Sequence, residues 1–209
     1  MKNNTVFVLL AGGKSKRMCV DKGLLKYHQT FWILEQLNSI SKTSISEVYI
    51  GLGYNYKNYF TAIPWFENAV SKVVTFQGLS IKIIVNKNPE LGSFSTLQTI
   101  LKKVNTSKNI MLNHIDIPLL NSEEFQKIIE TKNTIVIPNY ECKKGHPIKM
   151  ESKFWKQLIT INPSDKKARL DLQIKKLKPA EITTINVNDD AVIKNLNTTK
   201  DWVSFLKEN

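Results

Sequence analysis

The chain has 209 residues, 42% of them hydrophobic, enough to bury the core of a single domain over residues 1–209. No stretch is long and apolar enough to cross a bilayer, the N-terminus lacks a signal-peptide apolar region, and Cys19 and Cys142 form no metal-type pair, so the cytoplasm is the expected compartment. The net charge of +12 points to anionic partners, but much of it is lysine on presumed helix faces, such as Lys102 and Lys103, and it does not by itself separate nucleotides from nucleic acid.

In chain order, the apolar run Thr5–Leu10 predicts a strand, and the spacing over Thr30–Ile40 a helix. A strand follows at Glu47–Gly53 and a short helix near Tyr56–Ala62; Pro64–Gly78 has no legible period and reads as an insertion. Ile81–Asn86 predicts a strand, Ser93–Val104 an amphipathic helix, Asn109–Asn113 a strand, and Ser122–Glu130 a helix capped at Asn121 or Ser122. Thr134–Pro138 and Glu181–Val187 read as strands, with helices near Lys153–Ile159, Lys167–Leu177 and Thr199–Lys207. Strands separated by helices imply an α/β fold: a three-layer αβα sandwich around a Rossmann-like, mostly parallel sheet.

In such a sheet, ligands sit beyond the carboxyl ends of the strands. After the first strand come Leu10, Ala11, Gly12 and Gly13, then Lys14, Lys16, Arg17 and Lys22. The glycine pair lets backbone N–H groups approach an anion, and the cations suit a triphosphate. Gly13-Lys14-Ser15 is not a Walker A loop, because Val8 stands where that motif needs glycine; the dinucleotide fingerprint fails for want of a third glycine. The strand at Asn109–Asn113 leads to Asp116, two residues before Pro118. Attack on an α-phosphate builds negative charge that a hard, oxygen-preferring cation such as Mg²⁺ offsets, and Asp116 is the candidate ligand. Another strand end gives Asn88-Pro89-Glu90-Leu91-Gly92-Ser93, where Gly92 permits close backbone approach and Ser93 opens a helix whose N-terminus favours an anion or a polar base edge. Gly145-His146-Pro147 lies between apolar strands, with His146 a substrate-side candidate. His114 is near Asp116 in the chain, which does not by itself make it a neighbour in space.

The pattern Leu-Ala-Gly-Gly-x-Ser-x-Arg-Met followed by Asp21-Lys22-Gly23-Leu24-Leu25 resembles the signature loop of the MobA-like NTP transferases, and most closely the molybdenum-cofactor guanylyltransferases. Asp116-x-Pro118 is similar to their metal-holding strand end. Asn88-Pro89 with Gly92-Ser93, and Gly145-His146-Pro147, are closer to the molybdopterin cytidylyltransferases. Asn195-Leu196-Asn197-Thr198 resembles the guanylyltransferase C-terminal motif.

The resemblance implies an α/β nucleotidyltransferase of the nucleotide-diphospho-sugar transferase type. It would use Mg²⁺ to move NMP from GTP or CTP to a phosphorylated acceptor, foremost molybdopterin. Leu10 to Lys14, Asn88, Gly92 and Ser93 would bind nucleotide. Arg17 would neutralise the β and γ groups and Lys22 the charge growing at the α-phosphate. Asp116, aided by Asn195 or Asn197, would hold the metal, and Gly145 and His146 would face the acceptor. A monomer or small homo-oligomer is expected, without membrane or nucleic-acid partners, since no aromatic–basic interleaving marks a nucleic-acid module. Two departures stand out: Cys19 replaces the usual glycine after Arg-Met, and no proline follows Thr198. A sugar-phosphate transferase and a catalytically silent nucleotide-binding relative remain alternatives.

Overall fold

The computed structural model describes residues 4–208, so the first three residues and Asn209 of the expected 1–209 domain lie outside the described residues. The chain runs through β1 (Thr5–Leu10), a small hairpin of β2 (Lys26–Tyr27) and β3 (Thr30–Phe31), α1 (Trp32–Ser41), β4 (Glu47–Leu52), α2 (Tyr56–Ala62), α3 (Trp65–Ser71), β5 (Val74–Phe76) and β6 (Leu79–Val85). It continues with α4 (Gly92–Leu101), β7 (Asn109–His114), α5 (Ser122–Glu130), β8 (Ile135–Tyr140), β9 (Lys143–Lys144), β10 (Ile148–Met150), α6 (Ser152–Leu158), α7 (Leu170–Ile174), β11 (Ile182–Asn186) and α8 (Thr199–Glu208).

All six residues of β1 are buried, and they divide by parity: Phe7 and Leu9 enter one apolar cluster, Val6, Val8 and Leu10 the other. A strand buried on both faces needs a helical layer on each side. One layer is α1, α2, α3, α5 and α8, contributing Leu37, Tyr59, Phe66, Phe125 and Phe205. The other is α4, α6 and α7, contributing Leu97, Trp155 and Ile174. Between them the sheet has the order β11-β8-β10-β7-β1-β4-β6-β5, with β9 paired to β8. The central run β7-β1-β4-β6 is parallel, whereas β10 lies antiparallel to both β7 and β8. This is the expected mostly parallel three-layer α/β architecture.

Local chemistry explains where the elements depart from the sequence reading. Thr30 and Phe31 pair with Tyr27 and Lys26, so α1 starts at Trp32 rather than at Thr30. Pro64–Gly78 is ordered structure: Pro64 precedes α3, and β5 turns into β6 through Gln77 and Gly78. Both turn residues have positive φ, 48° and 79°, the left-handed pair that tight hairpins require. The same device at Glu141 and Cys142 (φ 45° and 64°) turns β8 into β9. The helix expected over Lys167–Leu177 is confined to Leu170–Ile174. Asn121 caps α5, its side chain accepting from the Glu124 N–H at 3.0 Å.

Phe125 packs from α5 onto the sheet, its ring stacked on Phe7 with centroids 5.9 Å apart. Phe125→Ala is expected to cost about 3–5 kcal/mol of unfolding free energy, read by urea denaturation, because the cavity cannot close between two rigid layers.

Candidate active site

The parallel strands β1, β4 and β7 end at the same edge of the sheet, and the loop Ala11–Asp21 crosses it. Ala11 N–H donates to Gly51 O at 2.8 Å and Tyr54 N–H to Gly12 O at 3.2 Å, which seats the loop on the end of β4. Backbone meets backbone here: a Cβ on Gly53 would lie 2.7 Å from Gly12 O. A Cβ on Gly12 would meet Gly53 N at 3.1 Å, whereas one on Gly13 would meet nothing within 4 Å. Gly12 is thus accounted for by packing against β4, whereas no neighbour within the protein demands glycine at position 13. Further on, buried Met18 pins the loop to the core, while Ser15 and Cys19 take left-handed φ of 47° and 55°.

The loop delivers Lys22 to the site, and its neighbours in the chain are clamped. Buried Asp21 accepts from Asn55 Nδ2 at 3.0 Å and Asn58 Nδ2 at 2.8 Å. Gly23 N–H donates to the Tyr59 hydroxyl, and Lys22 N–H to Ser15 Oγ, both at 3.3 Å. Lys22 Nζ then lies 2.7 Å from Asp116 Oδ2 and 2.7 Å from Asn197 Oδ1. Asp116 sits in the turn after β7, held by Ile115 N–H to Leu10 O at 2.9 Å and by Trp32 Nε1–H to Ile115 O at 2.7 Å. The C-terminal segment arrives through Leu196 N–H, which donates to Asp116 O at 2.8 Å. Asp201 accepts from Asn197 N–H and Thr198 N–H at 3.1 and 2.8 Å, fixing the turn that carries Asn197.

These groups surround a cavity of about 440 Å³. Leu10, Ala11, Gly12, Gly13, Lys14, Arg17, Lys22, Gly92, Ser93, Asp116 and Asn197 all line it. Of the residues expected to hold nucleotide or metal, two do not. Asn88 is exposed and its backbone serves a turn, its N–H donating to Asn86 Oδ1 and its carbonyl accepting from Asn86 Nδ2. Asn195 is exposed, its amide donating to Ile193 O at 3.1 Å because the turn into Leu196 points it outward. Gly145 and His146 line a second cavity of about 620 Å³ that shares Leu10, Gly92, Ser93 and His114 with the first.

Sequence reasoning missed several wall residues: Ser15, Tyr54, Pro89, Thr96 and His114. Lys14 Nζ stands 5.1 Å from the Tyr54 ring centroid. Buried Asn86 is the organiser behind the Gly92 turn, donating to Ser95 Oγ at 2.9 Å and Thr96 Oγ1 at 3.0 Å. A polar residue closing an apolar strand was the available signal for it.

His114 and His146 meet edge to face across the wall between the cavities, ring centroids 5.1 Å apart and planes at 89°. Burial pulls both imidazoles below their ordinary pKa. Burial first, then repulsion from His114, takes His146 down to about 3 against the opposing pull of Asp116. Both rings are neutral near pH 7.

A divalent cation can be tested against the donors present. Asp116 Oδ2 and Asn197 Oδ1 converge on one cationic centre, the Lys22 ammonium. Among the described residues no group of three or more His, Cys, Asp or Glu side chains forms a closed metal cage. One carboxylate and one amide oxygen fit a hydrated ion of the Mg²⁺ kind, which takes its remaining ligands from water and substrate phosphates.

The family model of the MobA-like NTP transferase domain matches residues 7–180. The chain belongs to this family. It is a nucleotidyltransferase, and its α/β fold is GT-A-like. No curated protein sequence matches the chain. Among solved structures, a homologue of Mycobacterium tuberculosis Rv0371c from Mycobacterium sp. strain JC1 is similar at 19% identity and TM-score 0.76, covering 100% of this chain and 98% of that one. Rv0371c of Mycobacterium tuberculosis in complex with manganese is similar at 17% identity and TM-score 0.71, covering 98% of this chain and 99% of that one. The 4-diphosphocytidyl-2C-methyl-D-erythritol synthase of Anaerococcus prevotii is similar at 13% identity and TM-score 0.68, covering 98% of this chain and 94% of that one. No helix among the described residues is long and apolar enough to cross a membrane.

Two outcomes follow for the transferase. Cys19→Gly relieves a left-handed residue with a Cβ and is expected to raise unfolding free energy by about 1 kcal/mol, measured in urea. The depressed His146 pKa means the unfolded chain binds a proton that the native state refuses. This part of stability is therefore complete above about pH 6.5 and is lost as pH falls towards 3, at up to about 1.4 kcal/mol per pH unit. Urea unfolding at pH 6.5 and 4.5 is expected to show a smaller loss for His146→Gln than for the wild type.

Proposed function

We propose that the protein uses Mg²⁺ to transfer a nucleoside monophosphate from an NTP to a phosphorylated acceptor, releasing pyrophosphate. One observation carries this reading: Lys22 Nζ is held 2.7 Å from both Asp116 and Asn197, which lie 94 and 175 residues away in sequence, inside a cavity rimmed by the glycine loop. The family and the similarity to a 4-diphosphocytidyl-2C-methyl-D-erythritol synthase support the reaction class.

Gly13 and the loop backbone would approach the triphosphate where no side chain intervenes, with Lys14 and Arg17 beside it. Asp116 and Asn197 would hold Mg²⁺, whose charge offsets that of the triphosphate. An oxygen of the acceptor phosphate attacks the α-phosphorus of the NTP. The new P–O bond forms as the α–β bridging bond breaks, and its electron pair leaves with pyrophosphate. Lys22, freed from Asp116 by competition from the phosphates, would stabilise charge at the α-phosphate, since positioning and electrostatics suffice for such a transfer. Gly145 and His146 would face the acceptor. The motif resemblance supports GTP or CTP as donor and molybdopterin as acceptor, and the two free cysteines support a cytoplasmic location.

Lys22→Ala and Asp116→Ala are each expected to lower kcat by about 10²–10³-fold, measured as pyrophosphate release from GTP or CTP with Mg²⁺ and molybdopterin. Near-normal turnover in either folded variant overturns the assignment. A thermal-shift series with the four NTPs and Mg²⁺ identifies the base.

A further inference from the structure

The second cavity has a floor unlike that of the first. It is built from the apolar side chains Phe94, Leu97, Leu112, Ile137, Ile148 and Ile174, contributed by both the sheet and the helices of one layer. Its charged groups stand at the rim: Lys144, Lys175 and Arg169 are exposed, and Arg169 is already engaged by Asp171 through paired contacts of 3.1 Å. The polar groups nearest the nucleotide cavity are Ser93, His114 and His146.

This distribution constrains what can lie there. A sugar body presents hydroxyls all round its ring, and each one buried against an aliphatic wall without a partner costs free energy. The floor offers no carboxylate or amide to receive them; the one carboxylate lining the cavity, Asp171, is exposed at the rim and paired with Arg169. An apolar body gains from the same wall, in proportion to the area it removes from water. The shared boundary at Gly92, Ser93 and His114 is where an acceptor phosphate would reach a nucleotide in the first cavity, and the lysines at the rim add to the attraction for an anion.

We infer that the acceptor is a phosphomonoester with a predominantly apolar body, aromatic or aliphatic, seated in the cavity floored by Phe94, Leu97 and Ile174, rather than a sugar phosphate. The inference rests on the nucleotidyl-transfer reading for the position of the reacting phosphate. It departs from the molybdopterin resemblance, which lies in loop motifs and not in these walls: a pterin's ring N–H, amino and carbonyl groups would be left unpaired against this floor.

Calorimetric titration of the full chain with 1-naphthyl phosphate, octyl phosphate and glucose 1-phosphate tests it. At least one of the apolar phosphates is expected to bind about tenfold or more tightly than glucose 1-phosphate. The naphthyl and octyl arms tell an aromatic from an aliphatic body. Leu170→Ser, at the cavity wall, is expected to reduce that preference about fivefold. Equal or tighter binding of glucose 1-phosphate overturns the inference whether or not the variant folds. A preference unchanged in folded Leu170→Ser overturns it too. Separate titration of the wild type with Mg²⁺ and each NTP keeps the two readings apart: NTP binding without apolar preference sinks only the acceptor class, whereas absence of NTP binding sinks the nucleotidyl-transfer reading itself.

Discussion

The ammonium of Lys22 ties together the N-terminal loop, the turn after β7 and the segment leading into α8. Only 14% of the Lys22 side chain and 22% of Asp116 remain exposed, so the pair is stronger than a surface ion pair and costs more to desolvate. Removing one partner would strand the other in a poorly hydrated place, which is why the amide oxygen of Asn197 matters as a second acceptor. Much of the surrounding structure serves to make this meeting possible: Asp21 gripped by Asn55 and Asn58, Gly23 by Tyr59, Ile115 by Trp32, and Leu196 by the Asp116 carbonyl. The sheet carries the three partners to the same edge.

An arrangement of this kind has two ways of opening. In the proposed reaction, phosphate oxygens would compete with Asp116 for the ammonium, and a divalent cation would compete with the ammonium for Asp116. Each competitor alone leaves an unpaired charge behind, whereas both together replace one ion pair by two. Nucleotide and metal are therefore expected to favour one another's binding, a reciprocity that follows from linkage.

Legibility in the sequence followed the physics of each element. The buried parallel strands announce themselves as apolar runs, because burial on both faces leaves few polar residues to blur the pattern. The helices packed on them show the 3.6-residue period. The glycine loop, Lys22 and Asp116 were legible together because they follow strand ends, where a parallel sheet gathers its ligand-facing groups. What escaped was set by tertiary pairing. β5 has three residues and passes for loop until its partner is known, whereas β10 is the apolar strand expected after Pro147, and only its antiparallel direction was hidden. Gln77, Glu141 and Cys142 turn the chain through positive φ without the asparagine or glycine that advertises it. Asn195 and Asn197 look equivalent in sequence; only the turn fixed by Asp201 sends one inward and the other to solvent. His114 gained its partner from the antiparallel register of β10 on β7, where Ile148 lies opposite Leu112 and the chain before it brings His146 alongside.

The reversal of β10 within the parallel sheet reaches beyond strand pairing. Because this strand runs against β7, its leading residues, rather than its trailing ones, open onto the same rim as the glycine loop. The segment presenting Gly145 and His146 is thus spliced into the rim from a hairpin that bears none of the side chains lining the first cavity. A lineage built on this scaffold can retune one half of its chemistry by altering a short excursion of the chain, while the grip on the other half stays as it was.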